Sequence, residues 1–230
     1  MALHGGAEAR ALQSKMFQHT LSAGQSDFGR MDCGRVWRRL HSRQRGNAKE
    51  SGTMAAKVQD ELAATLAAIH TESGASLLAL AEASPVLLVF LRHFGCPFCR
   101  KTISDIAELQ QELADRGVRP VFVHLGTPEI AQKHFDYYGL SSVERVHDPG
   151  ATIYQQPAFA LSRQHPLWST IHPVVFWAWL KRAMRKHGIG MIQGDGHQMP
   201  GIFFLQGPTI VRRFVHRKIS DEPDYLSLIA

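Results

Sequence analysis

The chain has 230 residues, 44% of them apolar and 20% charged, with a formal net charge of +6; such an average belongs to a globular protein rather than a disordered or fibrous one. The charge is uneven: residues 1–53 hold 9 Lys/Arg against 4 Asp/Glu, whereas the remainder holds 17 against 16. A nearly neutral body excludes nucleic-acid or membrane-surface binding argued from the global charge. Three cysteines are too few for a disulfide framework, and the longest apolar stretch, Val174 to Leu180, is too short to span a bilayer.

Residues 1–53 are rich in Gly, Ser, Gln and Arg, with a basic cluster from Arg35 to Arg45 and no sustained apolar period. They read as a disordered extension, with an organellar transit peptide or an interaction tail as alternatives. Residues 54–230 are expected to form the folded domain. No continuous apolar core marks a secretory signal, so the expected compartment is the cytoplasm, or an organelle if the leader directs it there.

In chain order, Met54 to Gly74 is rich in Ala and Leu and predicts a helix closed by glycine, followed by a shorter helix up to Ser84. Val86 to Leu91 is an unbroken apolar run, as a strand buried on both faces requires. After it, Ile103, Ile106, Ala107, Gln110, Leu113 and Ala114 share one helical face that stops at Arg116-Gly117. Arg119 to Gly126 predicts a second buried strand. Thr127 and Pro128 then open a helix that Gly139 ends. A short strand around Val146 leads to a turn at Asp148 to Gly150 and a brief helix through Tyr154. The order βαβαβα predicts a central sheet with parallel strands and helical crossovers. A long amphipathic helix is expected over Pro166 to His187, carrying Trp168, Phe176, Trp177 and Trp179. It precedes a hairpin around Gly207-Pro208 and a short C-terminal helix.

The chemistry centres on Phe90 to Thr102, FLRHFGCPFCRKT, where Cys96 and Cys99 follow a strand and open a helix. A helix N-terminus offers free N–H groups and partial positive charge, which favour thiolate over thiol. Pro97 suits the first turn, and Arg92, His93, Arg100 and Lys101 add positive charge. His93 and Arg100 are the candidates for tuning the thiol pKa. Two thiols at this spacing can close a disulfide, with one expected to face solvent and the other to lie deeper. The pair reads as a redox couple. A metal site would need four ligands, but there is no second Cys-x-x-Cys. His93, His124, His134, His147 and His172 are scattered, so no metal is expected. Two inert residues in a turn remain the plain alternative. Cys33 stands alone in the basic extension.

Together with HDPGATIY (His147 to Tyr154) and MPGIFFLQGPTIVRRF (Met199 to Phe214), this block resembles the peroxiredoxin-like, AhpC/TSA-type branch of the thioredoxin superfamily. The likeness runs from about Ser76 to the C-terminus. It implies an α/β thioredoxin-like fold: a central mixed β-sheet flanked by helices, here with a long inserted helix before the final hairpin. It also implies a cis-proline facing the cysteines, which Pro200 fits, so that Pro200 and Met199 would shape a groove for substrate or partner. Two positions depart from that family's pattern. Where it carries a threonine three residues before the peroxidatic cysteine, this chain has Cys96, if Cys99 is the counterpart. Where it carries an activating arginine, this chain has Pro200, which leaves Arg212 or Arg213 as substitutes. Pro97-Phe98 between the cysteines also resembles the glutaredoxin pattern.

The expected function is therefore antioxidant hydroperoxide reduction, thiol–disulfide exchange, or both, through Cys96 and Cys99. No cofactor is expected, because reducing equivalents would come from a thiol donor such as thioredoxin or glutathione. The expected partners are a hydroperoxide or protein disulfide and that thiol reductant. No stable nucleic-acid or membrane partner is expected, and a homodimer is left open. The alternatives are a disulfide oxidoreductase without peroxidase activity, coupled to glutathione or thioredoxin, and a non-enzymatic redox sensor.

Overall fold

The computed structural model describes Met54 and residues 56–161, 196–218 and 220–230. The basic extension with Cys33, and the helix expected over Pro166 to His187 with its aromatic residues, lie outside the described residues. The chain begins with helix α1 (56–68), then α2 (Leu77–Ala83), β1 (Val86–Phe90), α3 (Pro97–Glu108), α4 (Gln110–Asp115), β2 (Arg119–His124), α5 (Pro128–Tyr137) and β3 (Glu144–His147). The hairpin β4 (Gly201–Gln206) and β5 (Thr209–Val215) and the short helix α6 (Tyr225–Leu228) complete it.

The strands form one five-stranded sheet in the order β3-β2-β1-β4-β5. β1 runs parallel to β2, and β2 parallel to β3, while β4 is antiparallel to β1 with Phe90 opposite Gly201. β1 is central and buried throughout, which accounts for its unbroken apolar sequence. Its alternating side chains feed two layers. Val86, Leu88 and Phe90 join Leu66, Leu77, Val121, Tyr154, Phe159 and Phe203 on one face. Leu87 and Val89 join Ile103, Ile106, Phe122, Phe135, Ile202, Phe204 and both cysteines on the other. The dithiol is thus built into a core layer. The arrangement is a thioredoxin-like α/β fold, with a mixed sheet between helices.

Three details differ from the sequence reading. α1 stops at Ala68 rather than running to Gly74, because Ile69 is buried and its carbonyl accepts from Leu77 N–H (2.9 Å) while His70 bridges Ser76. The single helix expected up to Arg116 is two, meeting at Leu109, where ψ is 1°. No Pro or Gly in the sequence marks that break. It does end before a glycine, Gly117, with a φ of 68° that an L side chain adopts only under strain. The brief helix expected through Tyr154 is a set of turns. Asp148 draws it together by accepting from the Thr152 N–H (3.0 Å), the Thr152 hydroxyl (2.9 Å) and the Ile153 N–H (2.7 Å). This local side-chain bonding competes with helix formation.

Those turns deliver Tyr154 into the core. Its ring meets Phe90 edge-on at 4.9 Å, and its hydroxyl donates to the Leu91 carbonyl with the Val123 carbonyl 3.0 Å away. Leu91 ends the strand run and immediately precedes the loop that carries the cysteines, so Tyr154 fixes where that loop departs. Tyr154→Phe keeps the aromatic packing but strands a buried carbonyl, and is expected to cost about 1–3 kcal/mol. Chemical denaturation of the reduced protein measures it, and a neutral outcome would deny the tyrosine this anchoring role.

Candidate functional site

Cys96 is the N-cap of α3, with Pro97 in the first turn, so the end of β1 and the start of the helix together place the pair. Both thiols are free and both are buried, at 5% exposure for Cys96 and 4% for Cys99. The expected contrast of one exposed and one deep sulfur is therefore absent. Phe98 and Pro200 help to wall the small cleft onto which both sulfurs open.

What distinguishes the two is hydrogen bonding. The Cys99 thiol donates to the Cys96 sulfur, and this is the main reason that Cys96 is lowered from an ordinary 9.0 to about 6. Burial opposes the shift, and the Arg92 charge and the backbone N–H groups of Cys99 and Phe98 assist it. Those amides face the sulfur without closing a full capping bond. Cys99 moves the opposite way, well above the ordinary thiol range. Donating to Cys96 is the largest cause, followed by burial and the nearby Cys96 charge. The Arg92 N–H, 3.3 Å from the Cys99 sulfur, and the His93 N–H offset only part of this. At neutral pH the pair therefore holds one proton, on Cys99, and one negative charge, on Cys96.

Of the two residues expected to tune the thiol, neither acts by charge. His93 is buried, its Nδ1 lacks a hydrogen-bond partner, and its pKa falls to about 4 through burial and the neighbouring Arg92 and Arg100. It is neutral at pH 7 and contributes through its backbone. Arg100 Nε donates to the Phe94 carbonyl, and its charge is not among the causes of the Cys96 shift. The cation that acts on Cys96 is Arg92, held by donation from Nε to the Gly196 carbonyl at 2.8 Å and from Nη2 to the same oxygen.

Pro200 lines the cleft as expected, yet its peptide bond with Met199 is trans; no cis bond occurs among the described residues. Trans is the cheaper isomer for an X-Pro bond, and the chain passes directly from Pro200 into β4. Met199 is buried and packs against Phe98 rather than lining the cleft. Arg212 and Arg213 do not line it either: they lie on the exposed part of the edge strand, where Arg212 donates to the Ser227 carbonyl. Among the described residues no group of three or more His, Cys, Asp or Glu is placed to hold a metal ion, and no helix is long and apolar enough to cross a membrane.

Sequence reasoning missed the far wall of the cleft. His216, just past β5, and Asp221, Glu222, Pro223 and Tyr225 come around to face the cysteines. Lys101 ties that segment to α3, with its Nζ 2.7 Å from Asp105 and 3.9 Å from Glu222. A short acidic tail carries no signal that it returns to a site.

Residues 60–171 match the model of the AhpC/TSA family. Over that stretch, just under half of its length, the chain is similar to the AhpC/TSA family. Over 75 residues it is 33% identical to a prostamide/prostaglandin F synthase of Salmo salar, covering 33% of this chain and 36% of that protein. It thus spans about a third of the length of the curated relative it matches. Among solved structures it is similar to peroxiredoxin Q of Xanthomonas campestris, with a TM-score of 0.46 and 13% identity over 66% of this chain and 81% of that one. It is also similar to a mutant of peroxiredoxin 6 of Arenicola marina, with a TM-score of 0.48 and 8% identity over 70% and 66%.

The order of causes at Cys96 gives an order of effects. The rate of alkylation of Cys96 by iodoacetamide is expected to rise with a midpoint near pH 6. Cys99→Ala should move that midpoint upward the most, and Arg92→Met less. Cys99→Ser, which keeps an O–H donor, should fall between wild type and Cys99→Ala. Because the folded pKa lies below the unfolded one, the Cys96 thiolate stabilises the reduced protein fully above about pH 9 and loses that contribution as pH falls through about 6. Denaturation of the Cys99→Ala variant and wild type across this window measures the difference.

Proposed function

We propose that this chain is a thiol oxidoreductase whose Cys96/Cys99 dithiol reduces hydroperoxides and exchanges with disulfides. The carrying observation is the opposed ionisation of the two sulfurs: Cys96 at about 6 is a thiolate at neutral pH, and Cys99 is its proton-bearing neighbour. The thiolate is the nucleophile in both reactions.

Toward a hydroperoxide, the Cys96 sulfur attacks one peroxide oxygen. An S–O bond forms, the O–O bond breaks, and the departing alkoxide takes the Cys99 proton to leave as an alcohol. The Cys99 thiolate then attacks the Cys96 sulfenic acid, closing the disulfide and releasing hydroxide. Toward a disulfide, Cys96 forms the mixed intermediate and Cys99 resolves it. In either case the two electrons come from the dithiol, and a thiol donor such as thioredoxin or glutathione restores it. No resident cofactor is needed. A compartment that keeps thiols reduced suits this chemistry, and the cytoplasm is the simplest one. Pro200, at the mouth of the cleft, would receive the incoming partner.

A second reading, disulfide exchange without peroxidase activity, is favoured by the residues that replace the family's threonine and arginine. With Cys96 as the attacking cysteine, His93 stands three residues before it, Pro200 stands in the arginine's place, and neither Arg212 nor Arg213 lines the cleft.

The two separate in a rapid-quench experiment. Pre-reduced protein is mixed with hydrogen peroxide or an organic hydroperoxide, and remaining thiols are counted. Two thiols should be lost per turnover, faster than in free cysteine of equal thiolate content. Cys96→Ser should abolish the reaction, and Cys99→Ser should stop at a sulfenic acid that a dimedone reagent traps. Oxidation no faster than free cysteine would eliminate the peroxidase reading and leave disulfide exchange.

A further inference from the structure

The cleft beside the dithiol narrows to a cavity of about 20 Å³, space for roughly one water-sized group. Two of its lining side chains are buried and carry polar atoms with no hydrogen-bond partner: the Tyr225 hydroxyl (6% residue exposure) and His216 Nδ1 (8%). Most buried polar atoms in native proteins are paired, so two orphans on residues that line one cavity beside the Cys96 thiolate call for an occupant. Their characters differ. The His216 ring bonds to backbone at Pro200 and Asp221 while Nδ1 is left over. We assign the ring proton to Nε2, which leaves Nδ1 with a bare lone pair. Burial holds this imidazole neutral, with its pKa lowered to about 4. Thr102 is the side chain that bears on the Tyr225 hydroxyl, but it gives its own proton to the Phe98 carbonyl at 3.1 Å and closes no bond of ordinary geometry with the phenol, which leaves the phenol O–H to donate elsewhere. One orphan is thus an acceptor and the other a donor.

We propose that this cavity seats the hydroperoxide group, with Tyr225 O–H donating to a peroxide oxygen and His216 Nδ1 accepting from the peroxide O–H. A hydroperoxide is a small group with both an O–H to give and oxygen lone pairs to receive, which is the complement of this pair. The assignment rests on the peroxidase reading above, and it answers that reading's difficulty: the threonine and arginine expected to hold the peroxide are absent here, and these two groups take their place. As the O–O bond breaks, the leaving oxygen gains charge, and the Tyr225 hydrogen bond strengthens on it while the Cys99 proton neutralises it. A disulfide has neither an O–H nor an oxygen, so disulfide exchange draws nothing from either residue.

That asymmetry supplies the test. Full-length wild type, Tyr225→Phe and His216→Gln are pre-reduced, and each is reacted with hydrogen peroxide and separately with a pyridyl disulfide. Tyr225→Phe is expected to slow the peroxide reaction about tenfold or more, the scale on which a preorganised donor acts. It should leave the disulfide reaction and the pH midpoint of Cys96 alkylation unchanged, with a melting temperature at or above wild type because the lost hydroxyl was unpaired. His216→Gln should show the same split. An unchanged peroxide rate in both variants, or peroxide and disulfide rates falling in parallel, would overturn the assignment while leaving the peroxidase standing. A wild type that hydrogen peroxide oxidises no faster than free cysteine would take down both.

Discussion

One proton shared between two sulfurs organises this site. The Cys99 thiol can donate to Cys96 only because Cys96 caps α3 and the helix brings its third residue, Cys99, back over its own N-terminus. That start is set by the end of β1, where Leu91 bonds β2 through its N–H (2.9 Å to the Val123 carbonyl) and receives Tyr154 on its own carbonyl. Arg92, the next residue, then turns its amide to Cys99 and its guanidinium toward Gly196. Sheet register, tyrosine and arginine all converge on the same few atoms. Burial would ordinarily raise both thiols, and it does raise Cys99. Cys96 escapes because a directional bond from its neighbour outweighs the loss of water, with one guanidinium in support.

Much of this was legible beforehand for physical reasons. Val86 to Leu91 contains no polar residue because both of its faces are covered, and such a run can hardly be read as anything but a central strand. Thr127-Pro128, Gly117 and Gly139 punctuate helices whose ends fall where those residues imply. The Cys-x-x-Cys was visible because its chemistry is carried by neighbours in sequence.

What was not legible depends on contacts distant in sequence. His93 looks like a cation three residues from a cysteine, and only its burial between Arg92 and Arg100 makes it neutral. Tyr225 and His216 reach the cysteines across the sheet and the tail, with no spacing rule linking them to Cys96. The proline expected to be cis is trans, since a likeness in sequence does not carry the isomer of a single bond. The segment after Asp148 reads as a helix yet forms turns, because the bonds from its Thr152 and Ile153 amides to the Asp148 side chain imitate the hydrogen bonding of a helix start.

The base of the segment 162–195 is pinned. Gln198 donates to the Leu161 carbonyl at 3.3 Å, Leu161 lies against Gly201 so closely that a Cβ there would meet it at 2.6 Å, and Gly196 holds Arg92. The described residues on either side of that segment are therefore held close together. When the two ends of an excursion are already fixed together, its length is nearly free: doubling it costs only about 0.6 kcal/mol in closure entropy. The length of the connection between these flanks can therefore change at little cost to the sheet. Gly196, the first described residue after it, accepts from Arg92, so the one contact that such a change would bring to bear on the dithiol runs through that guanidinium.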